Sequence, residues 1–193
     1  MQVRNWSMAL TLAAMLMASN AQLRAADSFE VDPAHSFVTF KVSRGGASFI
    51  VARFNGLEGK AVWDEANPAA GSLELTIQTG SVDSGNERRD THIKSPDFLN
   101  AKQFPVITYK SSKIEKSGAD AYNVTGDFSL HGVTKPLTIT LKKVGGGETR
   151  RGGFTLGYEA EFIIKRKDFG VGQDRSPAGE DVHCNVNVLA TRQ

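Results

Sequence analysis

Alternation of apolar and polar side chains with a period of two is the strongest constraint that this sequence places on its fold. Segment 72–79 shows it most clearly, with Leu73, Leu75 and Ile77 on one face and polar residues on the other. Similar alternation recurs at 37–42, 122–130, 137–142, 154–162 and 182–188. A strand with one dry face produces this period, whereas a helix repeats every 3.6 residues. The pattern therefore predicts an all-β domain.

Turn-forming residues separate these segments, at 44–46, 67–71, 116–120 and 145–147. We count about eight strands with short connections, which favour antiparallel neighbours. Such strands form a sandwich or close into a barrel, and the period alone does not decide between the two. Segment 87–99 breaks the period and indicates one or two short helices, with Ser95 as a second N-cap. Segment 169–180 indicates a long loop.

The first residues are typical of a secretory signal peptide. Arg4 precedes an uncharged apolar run from Met8 to Ala18. That run is shorter than the roughly 20 residues that a membrane-spanning helix needs. We therefore expect residues 1–26 to be a signal peptide cleaved after Ala21 or Ala26, and residues 27–193 to form one domain that works in the periplasm. An uncleaved anchor is the alternative.

Charge and cysteine content narrow the partners further. The formal net charge is +2, which gives no electrostatic case for nucleic acid, and no later segment is long and apolar enough to insert stably in a membrane. Cys184 is the only cysteine, so an internal disulfide is excluded. Alternation places it on the same face as Val182 and Val186, which favours a buried, inert thiol over a reactive one.

The search for catalytic motifs finds none. The chain lacks a Gly-x-Ser-x-Gly elbow, and no helical pattern follows the glycines at 145–147, so they do not form a phosphate loop. The four histidines, His35, His92, His131 and His183, lack the spacing of zinc ligands. These motifs therefore predict no metal, no cofactor and no catalytic residue.

Several short motifs follow one another in a specific order along the chain. They are DPAHS at 32–36, RDTHI at 89–93, SPDF at 95–98, FP at 104–105, GVTKPL at 132–137 and RKDFG at 166–170. Together they resemble the YceI-like family, exported lipocalin-like barrels that bind polyisoprenoids and related lipids. The resemblance runs from about residue 29 to residue 190. It implies an extended eight-stranded antiparallel lipocalin-like barrel with a short helical insertion.

The function that this resemblance implies is carriage or storage of a long-chain amphiphile, with its tail in the barrel and its head group at the mouth. The family pattern carries no catalytic residues, so an enzyme is not expected. Each buried CH₂ contributes roughly 0.8 kcal/mol, and ten would give about 8 kcal/mol, near micromolar affinity. Because this energy discriminates poorly between apolar tails, a polyisoprenoid, a quinone and an acyl chain all fit.

Face alternation also nominates the ligand-binding residues. The expected lining is Phe40, Leu73, Leu75, Ile77, Tyr109, Phe128, Leu130, Phe154 and Phe162. For the head group we expect Arg89 and His92, because they lie in the helical break near the mouth. A structural ion pair between Arg89 and Asp90 is the alternative reading of that arginine.

Two other functions remain open at this point. A barrel with a filled interior could act as a stress-related interaction protein through the polar face of its last strand, and a homodimer is left open. An enzyme acting on a lipid head group would instead need His35, His92 or His131 to meet an acid in a cleft.

Overall fold

The computed structural model describes residues 26–172 and 176–193, and strands make up most of them. Residues 1–25, in which the expected signal peptide falls, therefore lie outside the described residues. The strands are β1 (Asp27–Val31), β2 (Phe37–Arg44), β3 (Ser48–Phe54), β4 (Leu57–Trp63), β5 (Ser72–Gln78), β6 (Val82–Asp83), β7 (Val106–Lys116), β8 (Ala121–Leu130), β9 (Val133–Glu148), β10 (Phe154–Lys165) and β11 (Ala178–Arg192). Within the same residues there is one α-helix, α1 (Glu87–Lys94), and 3-10 turns lie at Pro68–Ala70, Thr79–Ser81 and Arg166–Phe169.

The sheet closes on itself through eight strands. The ring runs β1-β4-β5-β7-β8-β9-β10-β11 and returns from β11 to β1, with every neighbouring pair antiparallel. Three further strands extend the ring past short breaks: β2 is in line with β1, β3 with β4, and β6 with β5. In this extension β2 pairs with β11, β3 pairs with β2, and β6 pairs with β3. The predicted eight-stranded antiparallel barrel with a helical insertion is confirmed, and the sandwich is excluded.

The two-residue connection between β8 and β9 shows how local sequence sets the register. His131 and Gly132 have φ values of 54° and 77°, the left-handed conformation that a type I′ hairpin turn requires at both positions. The turn pairs Leu130 with Val133. A Cβ atom at residue 132 would lie 2.7 Å from the Phe104 ring, so only glycine lets that ring pack here.

The residues that flank helix α1 determine where it begins and where it ends. The Asn86 side chain accepts a hydrogen bond from the backbone N–H of Arg89 at 3.0 Å, which caps the N-terminus. Pro96 disfavours a helical conformation at Ser95, and the helix ends there. Ser95 is the C-cap of α1, and its hydroxyl accepts a hydrogen bond from the Asp97 N–H at 3.3 Å. The expected new turn is therefore present at residues 96–99, with Ser95 at its start, but it does not form a second helix.

Two of the expected loops are partly strand. The glycines at 145–147 lie inside β9, where Gly146 pairs with Leu156 of β10. A Cβ atom at residue 146 would lie 2.7 Å from the Leu156 side chain, so glycine permits the close approach of the two strands. Strand β11 begins at Ala178, which shortens the loop that was expected to reach residue 180.

The two ends of the barrel carry different elements. The β2–β3 turn, α1, the β8–β9 turn and residues 166–172, which follow β10, gather at one end, which we call the α1 end. The β4–β5, β7–β8 and β9–β10 connections lie at the opposite end. Within residues 26–172 and 176–193, no helix is long and apolar enough to cross a bilayer.

Candidate ligand-binding site

A cavity of about 760 Å³ opens at the α1 end of the barrel. Drug-sized and cofactor-sized ligands occupy clefts of about 300–1,000 Å³, so this volume suits a sizeable organic molecule. Strands β2, β10 and β11 contribute much of its wall, and β3, β5, β7 and β8 contribute further side chains. Helix α1 and the segment after it, including Phe98 and Leu99, lie along one side. The surrounding strands therefore hold open a space that their own side chains do not fill.

Cross-strand rows build the wall in layers. Val42, Val182 and Ile164 lie opposite one another on β2, β11 and β10. Phe40, Cys184 and Phe162 form the next row on the same three strands. All six side chains line the cavity, and all but Val42 are only half-buried. Inward apolar side chains keep this exposure because they face empty volume rather than one another.

The other half of the barrel is packed. Trp63, Tyr122 and Tyr158 interlock there, with ring centroids 5.0 to 6.1 Å apart in edge-on arrangements. Ile114 and Val124 are essentially inaccessible to solvent. We call this region the filled half and the region around the cavity the cavity half.

The structure divides the predicted lining residues between these halves. Phe40, Ile77, Phe128, Leu130 and Phe162 lie on the cavity wall. Leu73, Leu75, Tyr109 and Phe154 do not line it. The first three are buried in the core, and Phe154 packs on Phe29 with the Arg192 guanidinium over its ring. Alternation identifies the inward face correctly but carries no information on how far along the barrel each residue lies. That any of these residues contacts a ligand stays a prediction.

The predicted head-group residues also line the cavity, but both have protein partners. Arg89 donates from Nε to the Ser84 hydroxyl and from Nη2 to the Ser84 carbonyl, each at 2.7 Å. Asp90 accepts hydrogen bonds from the Ser84 backbone N–H and hydroxyl. The guanidinium and the carboxylate are thus joined through Ser84, and Arg89 braces the segment that enters α1.

His92 lies at the rim of the cavity, with Nε2 3.0 Å from Oδ2 of Asp97 and its ring edge-on to Phe98. The enzyme hypothesis requires a histidine in contact with a carboxylate, and His92 with Asp97 is such a pair. The other two histidines of that hypothesis lie elsewhere. His35 contacts Asp32 at 2.7 Å in an exposed turn, and His131 packs on Phe104 with Nδ1 3.3 Å from the Phe169 carbonyl.

Sequence reasoning missed a second group of wall residues. They are Val38, Val42, Ile50, Ile93, Phe98, Leu99, Ile164, Val182 and Cys184. The strand members could have been found from alternation, because Val182 and Cys184 share a face with Val186. The members from α1 and the turn after it could not, since an irregular segment has no period that shows which side chain points inward.

Burial in this wall changes the chemistry of Cys184. The apolar surroundings raise the pKa of its thiol to about 12. The thiolate is the nucleophilic form of cysteine, so the Cys184 thiol should react slowly at neutral pH. Among the described residues, no group of three or more His, Cys, Asp or Glu side chains could hold a metal ion.

Polar groups in the filled half serve packing. Tyr109 donates its hydroxyl hydrogen to the Val124 carbonyl at 2.8 Å, and Tyr158 donates to Oε1 of Glu65 at 3.2 Å. The same Glu65 oxygen accepts from Nζ of Lys143 at 2.7 Å, which raises the pKa of that lysine. Burial raises the pKa of both tyrosines above the ordinary value of 10.0.

Comparison with known sequences places the chain in a family. The YceI-like domain matches residues 29–190, nearly all of the barrel. The chain belongs to the YceI-like family. Its relatives include a UPF0312 protein of Pectobacterium atrosepticum, 37% identical over 186 residues and 96% of each chain. Protein YceI of Escherichia coli O157:H7 is 37% identical over 184 residues, covering 95% of this chain and 96% of its own.

Solved structures share the YceI-like barrel. BcnA of Burkholderia cenocepacia superposes with a TM-score of 0.75 at 26% identity, covering 82% of this chain and 98% of its own. A polyisoprenoid-binding domain from Saccharophagus degradans superposes with a TM-score of 0.66 at 15% identity, covering 88% of this chain and 100% of its own. The second similarity concerns the fold alone, because the identity is low.

Proposed function

We propose that this YceI-like protein carries or stores a long-chain isoprenoid or related amphiphilic lipid, a class that includes quinones. The observation that carries the proposal is the cavity of about 760 Å³, whose apolar wall includes side chains that remain half-exposed, among them Phe40, Phe162 and Ile164. Covering them with a lipid tail would remove apolar surface from water at roughly 25 cal/mol per Å². The polyisoprenoid-binding domain of Saccharophagus degradans shares this fold, which supports the same class of ligand.

The location that suits this function is the periplasm, reached through the expected signal peptide at residues 1–26. A lipid tail that crosses an aqueous compartment needs an apolar container, and the cavity half offers one. The alternative of a ligand-free interaction protein predicts a filled interior, and the packing of Trp63, Tyr122 and Tyr158 fits it in one half of the barrel only. Association into a homodimer stays a prediction, which sedimentation of the lipid-loaded protein would test.

Mass spectrometry of the organic extract from protein exported by its own host tests the proposal. We expect a stoichiometric long-chain lipid. The matched variants are Cys184→Trp, which fills the space between Phe40 and Phe162, and His183→Trp, the next residue of β11, which faces outward. The first should lose most of the lipid, and the second should keep it.

An empty extract, together with no binding of added isoprenoid or acyl lipids, would contradict the proposal and favour a protein that works through its surface. The enzyme hypothesis has a separate test. If His92→Ala and the wild type turn over added lipid at the same rate, then catalysis by the His92–Asp97 pair is excluded.

A further inference from the structure

Positive charge is concentrated on the cavity wall. Among the described residues that line it are four arginines, Arg44, Arg88, Arg89 and Arg166, and no aspartate or glutamate. A cleft that is lined by one sign of charge and has apolar walls focuses its field on a ligand of the opposite sign. The charge on the wall therefore offers a physical basis for discrimination between head groups, which the apolar part does not offer between tails.

Arg166 is the most unusual of the four. It is only 4% exposed, and it has no carboxylate partner among the described residues. Its guanidinium donates three hydrogen bonds to backbone carbonyls: Nε to Gly179, Nη1 to Val171 and Nη2 to Ala178, at 2.8 to 2.9 Å. A guanidinium has five N–H donors, so two remain beyond these bonds. Carbonyls are dipoles rather than anions. Its charge acts on the carboxylate of Glu180, whose pKa is lowered mainly by Lys167 and less by Arg166, so Arg166 has an acidic neighbour but no ion pair of its own within the described part of the chain.

Arg44 and Arg88 supply the accessible part of the same field. Both side chains are exposed at the rim, and neither has a hydrogen-bonding or ion-pairing partner among residues 26–172 and 176–193. Arg89, by contrast, is held by Ser84. Two free guanidinium groups at the mouth of an apolar cavity can bind a carboxylate or phosphate in bidentate fashion.

Structural contacts connect these three cations around one mouth. Arg44 pairs across strands with Ala178, whose carbonyl accepts from Arg166. On its other side, Nη1 of Arg166 and the ring of Phe98 both crowd Gly172, and Phe98 contacts His92. Arg88 lies one helical turn before His92, on the same face of α1.

We propose that the mouth formed by Arg44, Arg88 and Arg166 selects amphiphiles with an anionic head, a carboxylate or a phosphate, over neutral lipids with the same tail. This inference rests on the proposed lipid-binding function and names the head-group class that the function leaves open. Arg44 and Arg88 reach the head from the rim, and Arg166 adds its buried positive charge from beneath.

Binding measurements with tail-matched lipids test the proposal. Geranylgeranyl monophosphate is compared with geranylgeraniol, and oleate with oleamide, by titration calorimetry of lipid-stripped protein. We expect each anionic lipid to bind about tenfold or more tightly than its neutral partner, as charge-assisted hydrogen bonds are stronger than neutral ones. The preference should shrink as ionic strength rises from about 0.05 to about 0.5 M, because the rim cations are solvent-exposed.

The variant Arg44→Gln/Arg88→Gln should reduce the anionic preference to about threefold or less and leave the affinity for geranylgeraniol unchanged. Arg53→Gln is the matched control, since Arg53 is exposed on β3 over the Phe37 ring and outside the cavity. Arg166 is left intact, because its three carbonyl contacts join Val171 to Ala178 and Gly179 at the start of β11.

Three results would overturn the inference. Equal affinity for neutral and anionic lipids would exclude anionic selection while the proposed lipid-binding function stands. Displacement of bound lipid by inorganic phosphate at equal concentration would indicate a free-anion site rather than a head-group site. Failure of all four lipids to bind would refute the inference and the proposed function together.

Discussion

Ile114 and Ile164 both point into the same barrel, yet they have different surroundings. Ile114, in the filled half, is 1% exposed, whereas Ile164 lines the cavity and is only half-buried. The filled half contains Trp63 and tyrosines, of which Tyr109 and Tyr158 donate hydrogen bonds from their hydroxyls. The cavity half is lined mainly by phenylalanine, isoleucine and valine. The comparison shows that tight packing in the filled half stabilises the fold, whereas the cavity half leaves apolar surface unpacked and is less stabilising as a result.

The largest expected effect comes from the same substitution in the two halves. Ile114→Ala should lower the free energy of unfolding by about 2–5 kcal/mol, because it leaves a cavity in packed surroundings. Ile164→Ala should cost less than about 1 kcal/mol in lipid-free protein, because that side chain already faces empty space. Urea denaturation of both variants measures the difference. Equal losses would show that the two halves are packed alike.

Alkaline pH should weaken the filled half specifically. Burial raises the pKa of Tyr109 and Tyr158, so the unfolded chain loses these protons near pH 10 while the folded protein keeps them. Stability is therefore complete below pH 10 and falls as pH rises toward the folded pKa, by roughly 1.4 kcal/mol per pH unit for each tyrosine.

Denaturation between pH 9 and 11 tests this expectation. The background is Cys184→Ala, since the raised pKa of the Cys184 thiol adds an alkaline loss of its own. Tyr109→Phe/Tyr158→Phe should flatten the profile. A slope that persists in this variant would assign the alkaline loss to other groups. Tyr122, whose pKa burial also raises, is the next to test, followed by Lys143, whose pKa is raised by Glu65.

A smaller effect is expected at Cys184 in the cavity half. Its thiol lines the cavity, so a bound tail should slow alkylation by N-ethylmaleimide roughly tenfold relative to stripped protein. The rate is followed by intact-protein mass spectrometry, with denatured protein as the fully reactive reference. An unchanged rate at saturating lipid would place the tail elsewhere.

Much of the barrel could be predicted from sequence, and the omissions have physical reasons. Strand β3 was missed because Phe49 and Val51 on its outer face are apolar too, which obscures the alternation. In β4 the inward face includes Gly59 and Ala61, which are too small to signal burial. The glycines of β9 suggest a turn, but in the structure Gly146 lets β9 approach β10 closely at Leu156.

The site was less predictable than the fold. Phe162 and Phe154 belong to one alternating row on β10, yet only Phe162 lines the cavity. Position along the barrel axis depends on register and strand tilt, which a single strand's sequence does not contain. Arg89 lines the cavity, as its place in the helical break predicts, but its hydrogen bonds to Ser84, five residues earlier, are a local contact that the sequence analysis did not anticipate.

The most direct test of the account is photolabelling with a long-chain lipid that carries a diazirine at the end of its tail. Wild-type protein is loaded, irradiated and digested, and the labelled peptides are mapped by mass spectrometry. We predict adducts on the cavity walls of β2, β10 and β11, around Phe40, Phe162 and Cys184. Adducts concentrated around Tyr122 and Ile114, or only on the outer surface, would contradict the claim that the cavity half is where the lipid binds.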